Sequence, residues 1–126
     1  MPWLPHLHTF DETQIWMRSH VLADEDVWTI VHDDAVIGFI ATTPGWIEQL
    51  YVDPSAWRSG AGSRLLEHAK QQQPNGFQLW TFQRNAIARN FYRSHGLVEI
   101  RTTDGSDNEE KEPDVLLGWR PSDPRN

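Results

Sequence analysis

The chain has 126 residues, a formal net charge of −7 at pH 7 and no cysteine. That length leaves room for one domain with its own hydrophobic core, and we expect a single domain over residues 1–126. The lack of cysteine excludes disulfides, thiolate nucleophiles and cysteine-ligated zinc, and an acidic chain without a basic stripe is unsuited to nucleic acid as its main partner.

The N-terminal segment holds a pair of histidines but no targeting signal. His6 and His8 are spaced like two metal ligands, yet no third ligand follows at a suitable spacing, so we expect no metal site. Residues 1–5 lack the basic start of a signal peptide, and no apolar run reaches the roughly 20 residues of a membrane-spanning helix. We therefore expect a cytoplasmic protein with no membrane partner.

The next stretch is predicted to form a helix followed by three strands. Residues 11–22 have an imperfect amphipathic spacing that predicts the helix. Three strand-like runs follow, joined by turn residues and separated by a few positions, at 27–31, 35–42 and 46–52.

The second half of the chain alternates helices and strands. One helix is predicted over residues 62–72, and a second from the N-cap Asn85 to a left-handed stop at Gly96. Strands are predicted at 77–82, 97–103 and 115–119, with an acidic loop at 104–113. Because a strand, a helix and a further strand in succession give a parallel pair with a right-handed crossover, the sequence predicts a mixed α/β fold.

The Gly60-Ala61-Gly62 loop is the strongest local sign of a ligand. It lies between a strand that ends at Val52 and the start of a helix. Glycines let the backbone approach a ligand closely, and a helix start offers free N–H groups with a partial charge of about +0.5, which suits a pyrophosphate. Neither the dinucleotide-binding pattern nor the P-loop pattern fits, because Leu65 replaces the third glycine and Gly62-Ser63-Arg64 lacks the lysine. A tight turn without a ligand remains an equal reading of the loop alone.

The surrounding residues resemble a known family. Residues 50–54 with 57–66 resemble motif A of the GNAT superfamily of N-acetyltransferases, and residues 79–82 with Asn85, Ala88, Tyr92 and Gly96-Leu97 resemble its next strand and motif B. The resemblance runs unbroken over residues 27–101. It implies a mostly antiparallel sheet with a splayed parallel strand pair and flanking helices, here with a shortened N-terminal region.

The resemblance also implies an activity. Such enzymes move an acetyl group from acetyl-CoA to a primary amine by direct attack, so we expect an acyltransferase whose acceptor is a small amine or a peptide amine. A non-catalytic coenzyme A-binding or regulatory module of the same fold is the alternative. Homodimers are common in the family, and the sequence leaves this point open.

Coenzyme-binding residues are carried over by matching positions in the motifs. Main-chain groups of the strand before the loop would pair with the pantetheine arm, the loop would wrap the pyrophosphate, and the start of the second helix would contact the coenzyme. The residues so assigned are Leu50, Tyr51, Val52, Arg58, Ser59, Gly60, Ala61, Gly62, Ser63 and Asn85. The sequence departs from the family at the first loop position, where Trp57 stands in place of the usual Gln or Arg.

Two residues are candidates for the chemistry itself. Tyr92 stands where the family keeps its general acid, and a phenol of ordinary pKa about 10 is protonated at neutral pH and can donate to the leaving thiolate. Glu48 lies where some members keep a basic carboxylate. A solvated strand end is an equal reading of Glu48, and a chain of waters can also serve as the base.

The acidic stretch before the last strand is the remaining candidate. By default, residues 108–114 form a solvated loop. In the family, the last hairpin lies beside the acceptor site, so these carboxylates are also candidates to recognise a cationic acceptor.

Overall fold

The computed structural model of the chain describes residues 15–22 and 25–121. The elements, in chain order, are β1 (Ile15–Leu22), β2 (Glu25–His32), β3 (Ala35–Thr43), β4 (Trp46–Val52), α1 (Ala61–Gln72), β5 (Phe77–Phe82), α2 (Ala86–Ser94), β6 (Val98–Thr103) and β7 (Asp114–Trp119). A single turn of 3₁₀ helix, Pro54–Ala56, lies between β4 and α1.

The strands hydrogen-bond in the order β1-β2-β3-β4-β5-β7-β6. The pairs β1–β2, β2–β3, β5–β7 and β6–β7 are antiparallel, whereas β4 and β5 are parallel. The predicted mixed fold, with a mostly antiparallel sheet, one parallel pair and helices, is therefore confirmed. The expectation of a single domain stays a prediction, since the chain divides into two compact units.

The first unit contains β1 to β3, most of β4, and α1. Two aspartates, Asp33 and Asp34, have φ of 52° and 62° and form the tight β2–β3 turn, a conformation that such turns require and that Asp tolerates better than most residues. Helix α1 packs against β2 and β3. The side chains that fill this interface are fully buried, namely Ile30, Ile40, Leu65 and Leu66.

The helix predicted over residues 11–22 is wrong for the part that the structure describes. Ile15–Leu22 is a strand that pairs with β2 along its whole length, from Ile15 opposite His32 to Leu22 opposite Glu25. The amphipathic spacing was imperfect, and eight residues of ladder pairing outweigh a weak helical pattern. The start of that segment, together with His6 and His8, lies outside the described residues.

The second unit contains Pro44–Trp46 and the chain from Gln73 onward. The register pair between β4 and β5 is Trp46 with Gln78, and the Gln78 N–H donates to the Gly45 carbonyl at 2.9 Å. Helix α2 is joined to β6 by a two-point ion pair, in which Arg89 Nε and Nη2 lie 2.8 and 2.9 Å from the Glu99 carboxylate. The core of this unit is formed by Phe77, Leu79, Val115 and Leu117.

Among the residues that the structure describes, none of the helices combines the length and the apolar character needed to cross a membrane.

Candidate functional site

The segment between β4 and α1 is a short, internally bonded clip. The Asp53 carboxylate caps the 3₁₀ turn by accepting from the Ser55 N–H at 2.9 Å and the Ser55 hydroxyl at 2.7 Å. These bonds lower the pKa of the Asp53 carboxyl, the side-chain bond most strongly. The turn holds its own shape, so the loop that follows leaves it in a defined direction.

The glycine loop leaves open space at the start of α1. Gly60 has φ of 94°, and a Cβ added there would meet no atom within 4 Å. The first turn of α1 carries no acidic side chain, and the leading N–H groups of a helix have no acceptor within it. An anion fits this place because there is open space for it, because free N–H groups can donate to it and because no acidic side chain of the first turn repels it.

The residues on either side of Gly60 contribute in different ways. Arg58 is exposed and has φ of 67°, an uncommon conformation for a residue other than glycine. The Ser59 hydroxyl donates to the Ala56 carbonyl and accepts from the Ala61 N–H at 3.3 Å. Arg58 therefore presents a positive charge to solvent, whereas Ser59 is engaged in holding the loop.

The backbone groups of Leu50 and Val52 point away from β3. The Asp53 N–H donates to the Ile37 carbonyl at 2.8 Å, so Asp53 faces β3, and alternation along the strand turns Val52 and Leu50 the other way. This is the orientation that a pantetheine arm would require. Tyr51 lies between them with its ring half exposed, 5.8 Å from the ring of Phe39.

Trp57 is bonded back to the end of β4. Its indole Nε1–H donates to the Val52 carbonyl at 2.9 Å, while 55 % of the residue remains exposed. From the sequence, Trp57 is only a departure from the family pattern, and this bond was not predicted. One signal was available, because Trp, Gln and Arg share a side-chain N–H donor.

Glu48 is exposed and accepts a hydrogen bond from the Thr43 hydroxyl at 2.7 Å. The two residues flank the β3–β4 turn. The carboxylate is therefore exposed to solvent near the start of β4, and its role as a base stays a prediction.

Asn85 and Tyr92 are both carried by α2. Asn85 is its N-cap, and its side-chain oxygen accepts from the Ala88 N–H at 3.1 Å. Tyr92 follows seven residues later, which places it on the same face of the helix, about 10 Å along the axis. Gly96 has φ of 90° and ends the helix as predicted.

Tyr92 is buried, and its burial changes the pKa of its phenol. Only 9 % of the residue is exposed, and burial raises the pKa of its phenol to about 12. Within the described part of the chain, no residue hydrogen-bonds the phenol. Tyr92 therefore offers a protonated donor that is not committed to a protein partner.

The acidic loop is more ordered than a solvated loop would be. The buried carboxylate of Asp114 accepts from the Thr103 hydroxyl and from Asn108 Nδ2, the latter at 3.2 Å. Lys111 Nζ donates to the Ser106 carbonyl at 2.7 Å. The carboxylates left on its exposed side are Asp107, Glu109 and Glu110.

The predicted site residues thus fall into two groups, one in each unit. The strand end and the loop, with Glu48, belong to the first unit, whereas Asn85 and Tyr92 belong to the second. In the ranges 15–22 and 25–121, no three His, Asp or Glu side chains are grouped to hold a metal.

Comparison with known sequences connects both groups of residues to one family. Residues 23–99 match the family described as acetyltransferase (GNAT) domain. This span contains β4, the glycine loop, α1, β5 and α2.

Two characterised relatives share that likeness. The chain is 27% identical to the peptidyl-lysine N-acetyltransferase YiaC of Escherichia coli strain K12 over 121 residues, which cover 89% of this chain and 80% of YiaC. It is 32% identical to the peptidyl-lysine N-acetyltransferase YjaB of Salmonella typhimurium strain LT2 over 79 residues. That match covers 62% of this chain and 54% of YjaB.

Solved structures share the fold. The apo solution structure of Escherichia coli YjaB gives a TM-score of 0.68 at 24% identity, covering 76% of this chain and 65% of that one. A Bacillus anthracis protein described as a streptothricin acetyltransferase, crystallised with acetyl-CoA, gives 0.71 at 23% identity, covering 80% and 65%. At these identities the likeness establishes the fold.

Proposed function

The chain belongs to the GNAT family of acetyltransferases, and on that premise we propose that it transfers an acetyl group from acetyl-CoA to the side-chain amine of a peptidyl lysine. The acyltransferase class predicted from the sequence is thereby confirmed. The proposal that acetyl-CoA is the donor rests on one observation. There is open space over Gly60 at the start of α1, and the first turn of that helix has no acidic side chain.

The donor is held by two parts of the first unit. The N–H groups at the start of α1 and the loop from Arg58 to Ser63 take the pyrophosphate, with the exposed Arg58 adding charge. The main-chain groups of Leu50 and the N–H of Val52, which point away from β3, take the pantetheine arm. Asn85 caps α2, and the family resemblance assigns it a polar contact to the coenzyme.

Tyr92 stabilises the leaving group. The acceptor nitrogen attacks the thioester carbonyl, an amide bond forms, the C–S bond breaks and a thiolate leaves. With a pKa of about 12, against about 8.5 for an alkyl thiol, complete proton transfer from Tyr92 to sulfur is uphill. Tyr92 therefore acts chiefly as a hydrogen-bond donor that strengthens as charge develops on the sulfur.

The amine must lose a proton before or during attack. A lysine amine of pKa about 10.4 is almost entirely protonated at neutral pH, so a proton acceptor is required. Glu48 is exposed near the start of β4, and we propose that it receives this proton through water. Glu48→Gln should lower the rate most below the pKa of the amine; an unchanged pH–rate profile would remove Glu48 from the mechanism.

The relatives and the charge of the chain support the proposed acceptor class. Two relatives are named as peptidyl-lysine acetyltransferases, and the chain carries a net charge of −7. The exposed carboxylates Asp107, Glu109 and Glu110 would attract a basic peptide around its target lysine.

A coenzyme A-release assay with lysine peptides and small amines tests the function. Tyr92→Phe should cut turnover roughly 100- to 1000-fold, because one donor to the developing charge is lost, while acetyl-CoA binding measured by calorimetry is retained. Unchanged turnover in this variant would exclude the role of Tyr92. Tight acetyl-CoA binding without transfer to any amine would instead favour the non-catalytic coenzyme A-binding module.

A further inference from the structure

Trp57 combines exposure with a fixed position. More than half of the residue, 55 %, is exposed, yet its indole N–H is bonded to the Val52 carbonyl at 2.9 Å and its main-chain N–H to the Pro54 carbonyl at 3.2 Å. Holding an exposed aromatic side chain in one position is costly in conformational entropy. The bonds must therefore serve the segment that they join.

The bonded carbonyl lies on the strand edge that the coenzyme would use. Val52 is the last residue of β4, and its backbone groups point away from β3 because the next residue, Asp53, faces β3 through Ile37. The indole therefore occupies the last acceptor of this edge. It ends the stretch along which an extended ligand can pair with β4.

The same bond fixes the start of the glycine loop. Trp57 is the residue immediately before Arg58, whose φ is 67°, and Gly60 follows with φ of 94°. Between Val52 and Trp57 the chain is stiffened by the Asp53-capped turn Pro54–Ala56. The end of β4, the 3₁₀ turn and the start of the glycine loop are thereby held together by hydrogen bonds.

We propose that Trp57 is a positioning residue for the coenzyme. Its indole N–H holds the Val52 carbonyl and so sets the spacing between the strand edge that takes the pantetheine arm and the loop that takes the pyrophosphate. This inference rests on acetyl-CoA as the donor. Gln and Arg, the usual residues at this position, also carry side-chain N–H donors, and Phe does not. The position requires a donor, and the aromatic ring is incidental to that requirement.

The test compares two substitutions that separate the donor from the ring. Trp57→Phe keeps an aromatic ring without the donor, and Trp57→Gln keeps a donor without the ring. Trp80→Phe is the matched control, since Trp80 is a partly exposed tryptophan on β5 in the other unit. Each full-length variant is titrated calorimetrically with acetyl-CoA and with S-acetylpantetheine, which lacks the pyrophosphate.

We expect a loss of affinity in only one variant, Trp57→Phe, and for only one ligand, acetyl-CoA. Trp57→Phe should bind acetyl-CoA about two- to tenfold more weakly, the range that a single net hydrogen bond represents, with KM raised and kcat nearly unchanged. Its affinity for S-acetylpantetheine should remain that of the wild type, because that ligand does not span strand and loop. Trp57→Gln and Trp80→Phe should bind both ligands like the wild type.

Other outcomes would overturn the proposal in distinguishable ways. Wild-type affinity in Trp57→Phe with a loss in Trp57→Gln would mean that the ring itself contacts the coenzyme. Equal losses for both ligands, with a lower melting temperature, would mean a purely structural role. Failure of the wild type to bind acetyl-CoA would instead refute the donor on which the inference rests.

Discussion

At the residue scale, burial separates Tyr92 from the other polar candidates. Arg58, Glu48 and Asn85 are exposed and act, if bound to ligand, in a largely aqueous setting. Tyr92 is 9 % exposed, and burial raises the pKa of its phenol to about 12. A hydrogen bond from such a group is stronger than one made in water, which suits a donor to a developing thiolate.

This burial predicts a pH dependence of stability. The folded protein keeps the Tyr92 proton up to about pH 12, whereas the unfolded chain releases it near pH 10. The native state then binds more protons between these values, so the free energy of unfolding falls as pH rises above 10. The loss reaches roughly 2 kcal/mol near pH 12, from a shift of about 2 pKa units at 1.36 kcal/mol per unit.

Urea unfolding at pH 8, 10 and 11 measures this effect, with Tyr92→Phe as the reference that lacks the titrating group. The unfolding free energy of the wild type, taken relative to that of the variant, should fall as pH rises above 10. Parallel loss of stability in the two proteins would show that the Tyr92 phenol titrates as it does in the unfolded chain.

At the element scale, the approach of β3 to β4 depends on Gly38. A Cβ at this position would lie 2.7 Å from the Tyr51 carbonyl oxygen and 3.3 Å from side-chain atoms of Ile30 and Leu65. The first contact is with backbone, which cannot rotate away. Any side chain at Gly38 would therefore push apart the strands that lead to the glycine loop.

Gly38→Ala should lower the free energy of unfolding by about 1–3 kcal/mol, the usual cost of forcing an extra methyl group into packed structure. Gly118→Ala is the matched control, because its Cβ would also meet an atom at 2.7 Å, but that atom is the Ile100 Cδ1 at the end of a flexible side chain. Thermal unfolding of both variants checks the contrast. Equal losses would contradict the distinction between rigid and flexible neighbours.

Whether a feature of the fold can be predicted from sequence depends on whether nearby residues determine it. The glycine loop, the Asn85 cap and the Gly96 stop are each determined within a few residues, and the structure places all three as predicted. Ile15–Leu22 was wrongly predicted to be helical. Its strand conformation depends on pairing with β2, and the pattern of its own residues does not show that contact. The Trp57–Val52 bond was missed because side-chain reach depends on the turn between them.

At the scale of the whole molecule, the expected machinery is divided between the two units. The first unit carries the strand end and the glycine loop, and the second carries Asn85, Tyr92 and the acidic loop. The net charge of −7 disfavours an anionic ligand in general. Pyrophosphate binding therefore depends on the local geometry around Gly60, so a substitution of Gly60 tests the proposed coenzyme site most directly.

Calorimetric titration of acetyl-CoA into wild type, Gly60→Asn and Gly60→Asp provides that test. Asn and Asp have nearly the same shape and adopt positive φ more readily than other non-glycine residues, so they share the strain imposed by the φ of 94° at Gly60 and differ from each other in charge. One acetyl-CoA should bind per wild-type chain, and Gly60→Asn should bind it more weakly because its side chain enters the space over the loop. Gly60→Asp should lose at least about a further fivefold, since a carboxylate against a pyrophosphate costs about 1 kcal/mol or more. Equal affinities of the Asp and Asn variants, or no binding by the wild type, would contradict a coenzyme site at this loop.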